Sequence, residues 1–307
     1  MHLAEGTVPI NQALAWCAVA APVVAWSIRG EQNARRSAAS SSVVMAGTTS
    51  LLFAVTLLPL PVPVLGATSH ICLTPVLALI VGVRRMVWPT FFVLLLHALF
   101  FAHGGVTTLG VNTLTLGVLG PLATVGYWGL LRRLGFGNAL GLAVACCAGD
   151  LSVYVADAAV LGLALSDTAS PMTTFTGVVL GFAPVQGPLA VLEAVVSVGI
   201  VRTLAARRPD LLPESLRHLR KASGAGAAVL MMLLATGLSG CEYEGIDGSV
   251  FGTVAESAGQ PPTDSLLDLS QGELGLAMTI IILFGLGFIA GGAWERLFRG
   301  ERDALSR

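Results

Sequence analysis

Charge is scarce in these 307 residues, with 11% Asp, Glu, Lys or Arg against about 25% in soluble domains. A soluble fold of this length would need a charged surface that the sequence does not provide. Lysine is nearly missing: Lys221 stands alone, in Leu219-Arg220-Lys221-Ala222-Ser223. It does not follow a glycine-rich turn, and no G-x-x-x-x-G-K-[ST] phosphate loop occurs, so the chain is not expected to hydrolyse ATP itself. No G-x-S-x-G, H-E-x-x-H or paired-carboxylate motif points to an enzyme, and neither a cofactor nor a nucleic-acid partner is expected. The five cysteines (Cys17, Cys72, Cys146, Cys147, Cys241) show no C-x-x-C spacing. Four of them lie in or beside apolar runs, where they read as small hydrophobes rather than a disulfide framework. No basic stretch precedes the first apolar run, and Glu5 stands where one would be, so the mature chain is expected to begin at Met1.

What fills the chain instead is apolar: 54% of residues are hydrophobic and 36 are glycine, a composition suited to closely packed transmembrane helices. Apolar runs of near-spanning length fall at 10–28, 43–64, 71–84, 87–104, 111–131, 138–165, 174–204, 224–240 and 273–293, the third of them short for a helix that needs about 20 residues. Proline and glycine are expected to break the chain at 59–67 and at 183–188. The 17 Lys and Arg residues occupy only alternate connecting segments (Arg29 to Arg36, Arg84 and Arg85, Arg132 and Arg133, Arg202 to Lys221, Arg296 to Arg307). By the positive-inside rule this pattern fits nine spans, with the N-terminus outside and the C-terminus in the cytoplasm. The expected fold is an all-α polytopic membrane protein: a seven-helix body over 1–204, a basic cytoplasmic linker over 205–223, and a two-helix tail over 224–307 with an acidic outer loop at 241–272.

Five histidines are sorted by this topology. His2, His70 and His103 reach the outer face from three different segments, His97 lies inside the fourth span, and His218 is cytoplasmic beside Arg217 and Arg220. Histidine is the commonest metal ligand. The Met1-His2 start adds a specific chelate: the α-amine, the deprotonated His2 amide and one His2 imidazole nitrogen can lie in one plane around an ion. A fourth nitrogen from His70 would close a square that suits Ni(II) or Cu(II), and that low-spin Co(II) also accepts.

Four stretches then carry a resemblance to the CbiM/NikM family, the substrate-specific (S) components of energy-coupling-factor (ECF) cobalt and nickel transporters. These are Met1-His2-Leu3-Ala4-Glu5-Gly6, Ser69-His70, the run Ala102 to Asn112 (AHGGVTTLGVN), and Gly149-Asp150 with Tyr154. The match spans about residues 1–204. The resemblance implies a metal site of Met1, His2 and His70, with His103, Asn112 and Glu5 orienting those ligands. It implies Co(II) or Ni(II) as cargo, a transmembrane coupling (T) protein and ATP-binding cassette ATPases as partners, membrane lipid around it, a bacterial or archaeal cytoplasmic (inner) membrane, and cobalt supply for cobalamin biosynthesis. Nickel uptake by the same mechanism and a self-sufficient proton-coupled permease are the alternatives. Acids inside spans are usually functional, which marks Asp150, and after it Asp157 and Glu193; His97 is a further intramembrane polar candidate. The chain departs from the family after His70, where Ile71-Cys72-Leu73-Thr74 replaces a small, glycine-bearing run, and at His97, where glutamine is usual. A thiolate at Cys72 would alter metal preference. The tail resembles the family's small two-helix N component (CbiN) through Glu244-Gly245-Ile246-Asp247, and its individual carboxylates are expected to be solvated. Leu238-Ser239-Gly240-Cys241 also mimics a lipoprotein signal, which would make Cys241 a lipidated residue.

Overall fold

Seven helices in the computed structural model, which describes residues 2–37, 40–62, 67–219, 244–269 and 271–305, are long and apolar enough to cross a membrane. They are α1 (Ile10–Ser37), α2 (Ser40–Leu57), α4 (Val83–Phe100), α5 with α6 (Leu109–Leu114 and Gly120–Arg133), α7 (Ala139–Ala164), α8 (Pro171–Arg207) and α11 (Gly272–Leu305). A π-turn at Thr115–Leu119 joins α5 to α6 into one rod. The expected span at 224–240, like Met1 and Cys241, lies outside the described residues. Cys17, Cys72, Cys146 and Cys147 form no disulfide among the described residues.

The third crossing is not a full helix. Only Thr74–Val81 is helical there (α3), and all of it except Ile80 is buried. At one end of this segment His70 lies against His103. At the other, Arg84 donates to the Trp26 carbonyl at 3.1 Å and Arg85 pairs with Glu31 at 2.8 Å. Helix α4 joins the same two ends in 18 residues, about 27 Å. Eight helical residues supply about 12 Å of that span, so the non-helical residues 70–73 must supply much of the rest. Short of helix, this crossing leaves backbone groups that only buried protein partners can satisfy, and it is enclosed by them.

The expected break at 183–188 does not occur, because α8 runs unbroken through Pro184 and Pro188 for 37 residues. The two prolines are four apart, so their missing N–H groups fall on one face, and both rings are exposed while Val185 and Gln186 are buried. The break at 59–67 does form. It becomes β1 (Leu60–Val62) paired antiparallel with β2 (Ala67–Ser69), with Leu60 opposite Ser69.

Small residues set the interior crossings. A Cβ at Gly149 would collide with the Thr124 hydroxyl, so α7 and α6 approach closer there than any side chain permits. Basic ends gather on one side of the bundle: His218 bonds the Gly137 carbonyl at 2.6 Å, and Arg208 reaches the Leu297 carbonyl. The last helix, α11, lies against α2, where a Cβ on Gly47 would rest 3.7 Å from Ala293. Most of its described surface is open, as befits a lipid-facing helix.

The outer segment of the tail is not a solvated loop. Its strand β3 (Glu244–Gly245) adds in parallel to β2, Ala67 opposite Glu244. Phe251 is fully buried with its ring 4.5 Å from that of Phe182. After α10 (Thr253–Ser257), Thr263 donates to the Glu5 carbonyl at 2.9 Å and Leu269 to the Leu99 carbonyl at 2.7 Å. This segment therefore covers the outer end of the body.

Candidate metal centre

The N-terminal segment is drawn into the bundle by side chains of the loop before α5 and of α5 itself. Asn112 treats Leu3 as a strand neighbour would: its Oδ1 accepts the Leu3 N–H at 3.0 Å and its Nδ2 donates to the Leu3 carbonyl at 3.1 Å. Thr108 gives that carbonyl a second donor at 2.6 Å. The Glu5 carboxylate accepts the N–H groups of Val106 at 2.7 Å and Thr107 at 3.2 Å, and the Thr107 hydroxyl as well. Gly105 makes the approach sterically feasible, because a Cβ there would sit 2.7 Å from the Glu5 backbone. Leu3 and Thr7 are fully buried in consequence.

This anchoring delivers His2 to the other histidines. Its ring centroid lies 4.5 Å from that of His103 and 5.1 Å from that of His70, and Nε2 of His103 is 3.3 Å from Nε2 of His70. Asp247, from the tail, completes the group: its Oδ2 accepts the His2 backbone N–H at 3.2 Å and lies 3.9 Å from His70 Nε2. One donor atom from each of His2, His70, His103 and Asp247 falls within 4.8 Å of the others. Both ring nitrogens of His2 are buried with no hydrogen-bond partner among the described residues, an arrangement that a metal ion satisfies and that an ordinary core histidine avoids.

Burial holds the imidazoles of His2, His70 and His103 well below the ordinary histidine range, and nearby positive groups push the same way. The rings are therefore neutral at physiological pH, the state in which imidazole binds metal. Three neutral rings beside one carboxylate form a cradle suited to a divalent cation.

Of the expected site residues, His2 and His70 are brought together. His103, expected only to orient ligands, stands among the donors themselves. Asn112 and Glu5 bond to the backbone of the N-terminal segment and of the loop at 106–107, as orienting groups do. His97 lies beside the site: its ring is 5.7 Å from His103 and 4.9 Å from Phe53. Asp150 is elsewhere, in a buried group with Cys72 and Glu193. Asp157 belongs to neither group, and its oxygens have no hydrogen-bond partner among the described residues. Asp247 is the residue that sequence reasoning passed over. The Glu244-Gly245-Ile246-Asp247 stretch was distinctive enough to flag the segment, but nothing in a run of loop acids separates one half-buried carboxylate at the site from its neighbours.

The chain is also similar to known proteins. Residues 2–211 match the family model CbiM, described as the cobalt uptake substrate-specific transmembrane region. The chain is 34% identical over 315 residues to a cobalt transport protein CbiM of Geobacter sulfurreducens, covering 98% of this chain and 91% of that one. It is 38% identical over 225 residues to a CbiM of Sorangium cellulosum, covering 73% of this chain and all of that one (100%). Two crystal structures share the fold at lower identity. One, a truncated transition metal transporter, is 21% identical with a TM-score of 0.56 and covers 66% of this chain and 97% of its own. The other, a transition metal transporter, is 20% identical with a TM-score of 0.57 and covers 72% of this chain and 98% of its own.

Proposed function

The chain belongs to the CbiM family, and is thus a multi-pass inner-membrane component of cobalt transport; on that premise we propose that it captures the ion at the outer face through the Met1 amine, the His2 amide and imidazole, and His70. The observation that carries this reading is the convergence of His2, His70, His103 and Asp247 within 4.8 Å. A square of nitrogens around Co(II) accounts for the anchoring of residues 2–7, since the ligands near Met1 must be held against a rigid partner. Amide coordination releases a proton, and the Asp247 carboxylate is the group that accepts the hydrogen bond from that N–H. With the amide deprotonated and Asp247 ionised, two negative charges offset the two positive charges of the ion.

The chain's own sequence supports dependence on partners for energy, because it holds no phosphate loop. A coupling protein and cytoplasmic ATPases of the energy-coupling-factor type would drive inward release, and the cobalt would serve cobalamin biosynthesis. The tail acts as an N-component-like lid. Its support is the β2–β3 pairing and the placement of Asp247 at the site. Cobalt is preferred to nickel because the family description and both relatives refer to cobalt transport.

Titration of purified protein with Co(II) and Ni(II), beside a version with one residue added before Met1, tests the site. Tight binding with a square-planar absorption band, lost in the extended version, is expected. Equal binding by both versions would remove the amine from the ligand set.

A further inference from the structure

A second group of metal-binding side chains lies inward of the histidines. Cys72, Asp150 and Glu193 are each fully buried, and one donor atom from each falls within 4.8 Å of the others. They come from three separate parts of the chain: the non-helical third crossing, the middle of α7, and α8.

The group is held by polar partners around it and by contacts within it, Cys72 with Asp150 and Asp150 with Glu193. The two Glu193 oxygens accept the consecutive N–H groups of Cys72 at 2.7 Å and Leu73 at 2.9 Å. Leu73 has φ 55°, in the left-handed region that a leucine rarely adopts, and this backbone turn helps aim both N–H groups at one carboxylate, as in an anion-binding nest. Gln186 donates to Asp150 Oδ2 at 2.8 Å and accepts from the Ser69 hydroxyl at 3.3 Å. Asp150 Oδ1 is left buried with no hydrogen-bond partner among the described residues. Two carboxylates this close in a dry interior require a positive charge between them. Among the described residues no Lys or Arg pairs with either carboxylate, so a proton or a cation is left to supply the charge. A proton would answer for the carboxylates alone. A cation would engage the sulfur donor at the same point as well.

We propose that Cys72, Asp150 and Glu193 form a second divalent-cation site, which the ion occupies after it leaves the histidines. His70 and Cys72 are two positions apart, so their Cα atoms are at most about 7 Å from each other, a single step inward. One sulfur and carboxylate oxygens favour tetrahedral or octahedral coordination, as Zn(II) and high-spin Co(II) adopt, over the nitrogen square. Transfer would thus change the geometry around the ion and weigh against Ni(II) in its square-planar form. The order of passage rests on the proposed outer site, but the existence of the inner one does not.

The test uses Co(II) alone as probe, on the full chain with its native N-terminus. At saturation the wild-type protein is expected to show a near-ultraviolet thiolate-to-cobalt charge-transfer band besides the bands of the nitrogen site. Cys72→Ser should abolish the first and keep the second, and His70→Ala should do the reverse. X-ray absorption on the unmutated protein should find sulfur at about 2.3 Å from cobalt, near the usual metal–thiolate distance, and this requires no variant to fold. Absence of sulfur from the cobalt shell at saturation overturns the proposal and leaves the acids as a proton-sharing pair. A thiolate band that survives Cys72→Ser overturns it as well, because another cysteine is then the ligand. Failure of the outer site would appear differently, as nitrogen-site bands indifferent to an added N-terminal residue while the sulfur signal remains.

Discussion

The backbone N–H of His2 donates to the Asp247 carboxylate at 3.2 Å, across 245 positions of sequence. The contact joins the first residues of the chain to its tail at the point where three imidazoles meet. If Asp247 neutralises the bound ion, Asp247→Asn should weaken Co(II) binding by about 10–100-fold, the usual range for groups that support metal ligands. Calorimetric titration measures it, and an unchanged affinity would reduce the tail to a cover.

Asn112 is the clamp on Leu3. Asn112→Ala leaves a buried N–H without its partner and removes one donor from the carbonyl, a loss of about 1–3 kcal/mol. It should loosen the N-terminal segment and lower ion affinity by about tenfold or more, though Asn112 touches no ion. Faster hydrogen exchange at Leu3 in the variant would tie the affinity loss to the clamp, and unaltered exchange would refute that link.

Gly105→Ala tests the same docking by volume. The added methyl carbon would stand 2.7 Å from the Glu5 backbone, so the segment must move outward. Co(II) binding should fall sharply while the helical circular-dichroism signal stays constant. Full retention of binding would mean that the segment has another way to seat itself.

Acid should destabilise the metal-free protein through its histidines. Burial lowers the values of His2, His70 and His103 below the ordinary 6.5. Below 6.5 the unfolded chain gains protons that the folded chain refuses, so stability is complete above that pH and is lost as pH falls toward the lowered values. The apparent melting temperature should drop between neutral pH and about pH 5, with a smaller drop in His103→Gln. A pH-independent melting temperature over that window would contradict the buried, neutral state of the three rings.

Transport by this chain alone is the last test. Vesicles holding only the purified protein should show no concentrative cobalt uptake, with or without ATP or a proton gradient. Uptake driven by the gradient alone would favour the self-sufficient permease and make Asp150 and Glu193 its relay candidates.

Much of the architecture was legible because the membrane imposes simple rules. Long apolar runs and one-sided arginines do not depend on which helix packs where, so they located all seven described spans of the body and tail, and the acidic segment between the last two runs besides. The short run at 71–84 and the prolines of α8 were ambiguous for a physical reason: whether a helix breaks depends on what satisfies its backbone, and that is a property of neighbours. His2, His70, Glu5 and Asn112 could be named from motifs near the N-terminus and the loops.

By itself, the sequence determined that this chain lives in lipid, that its basic residues are confined to alternate connecting segments, and that three histidines stand in or beside the others. Those facts follow from hydropathy and charge, which act locally along the chain. Only the tertiary structure decided that Asp247 reaches His2 and that Cys72, Asp150 and Glu193 converge. Such meetings depend on helix crossings set by small residues such as Gly149 and on a turn as local as that at Leu73, and side-chain distances of a few ångströms are fixed only when all of those contacts are made together.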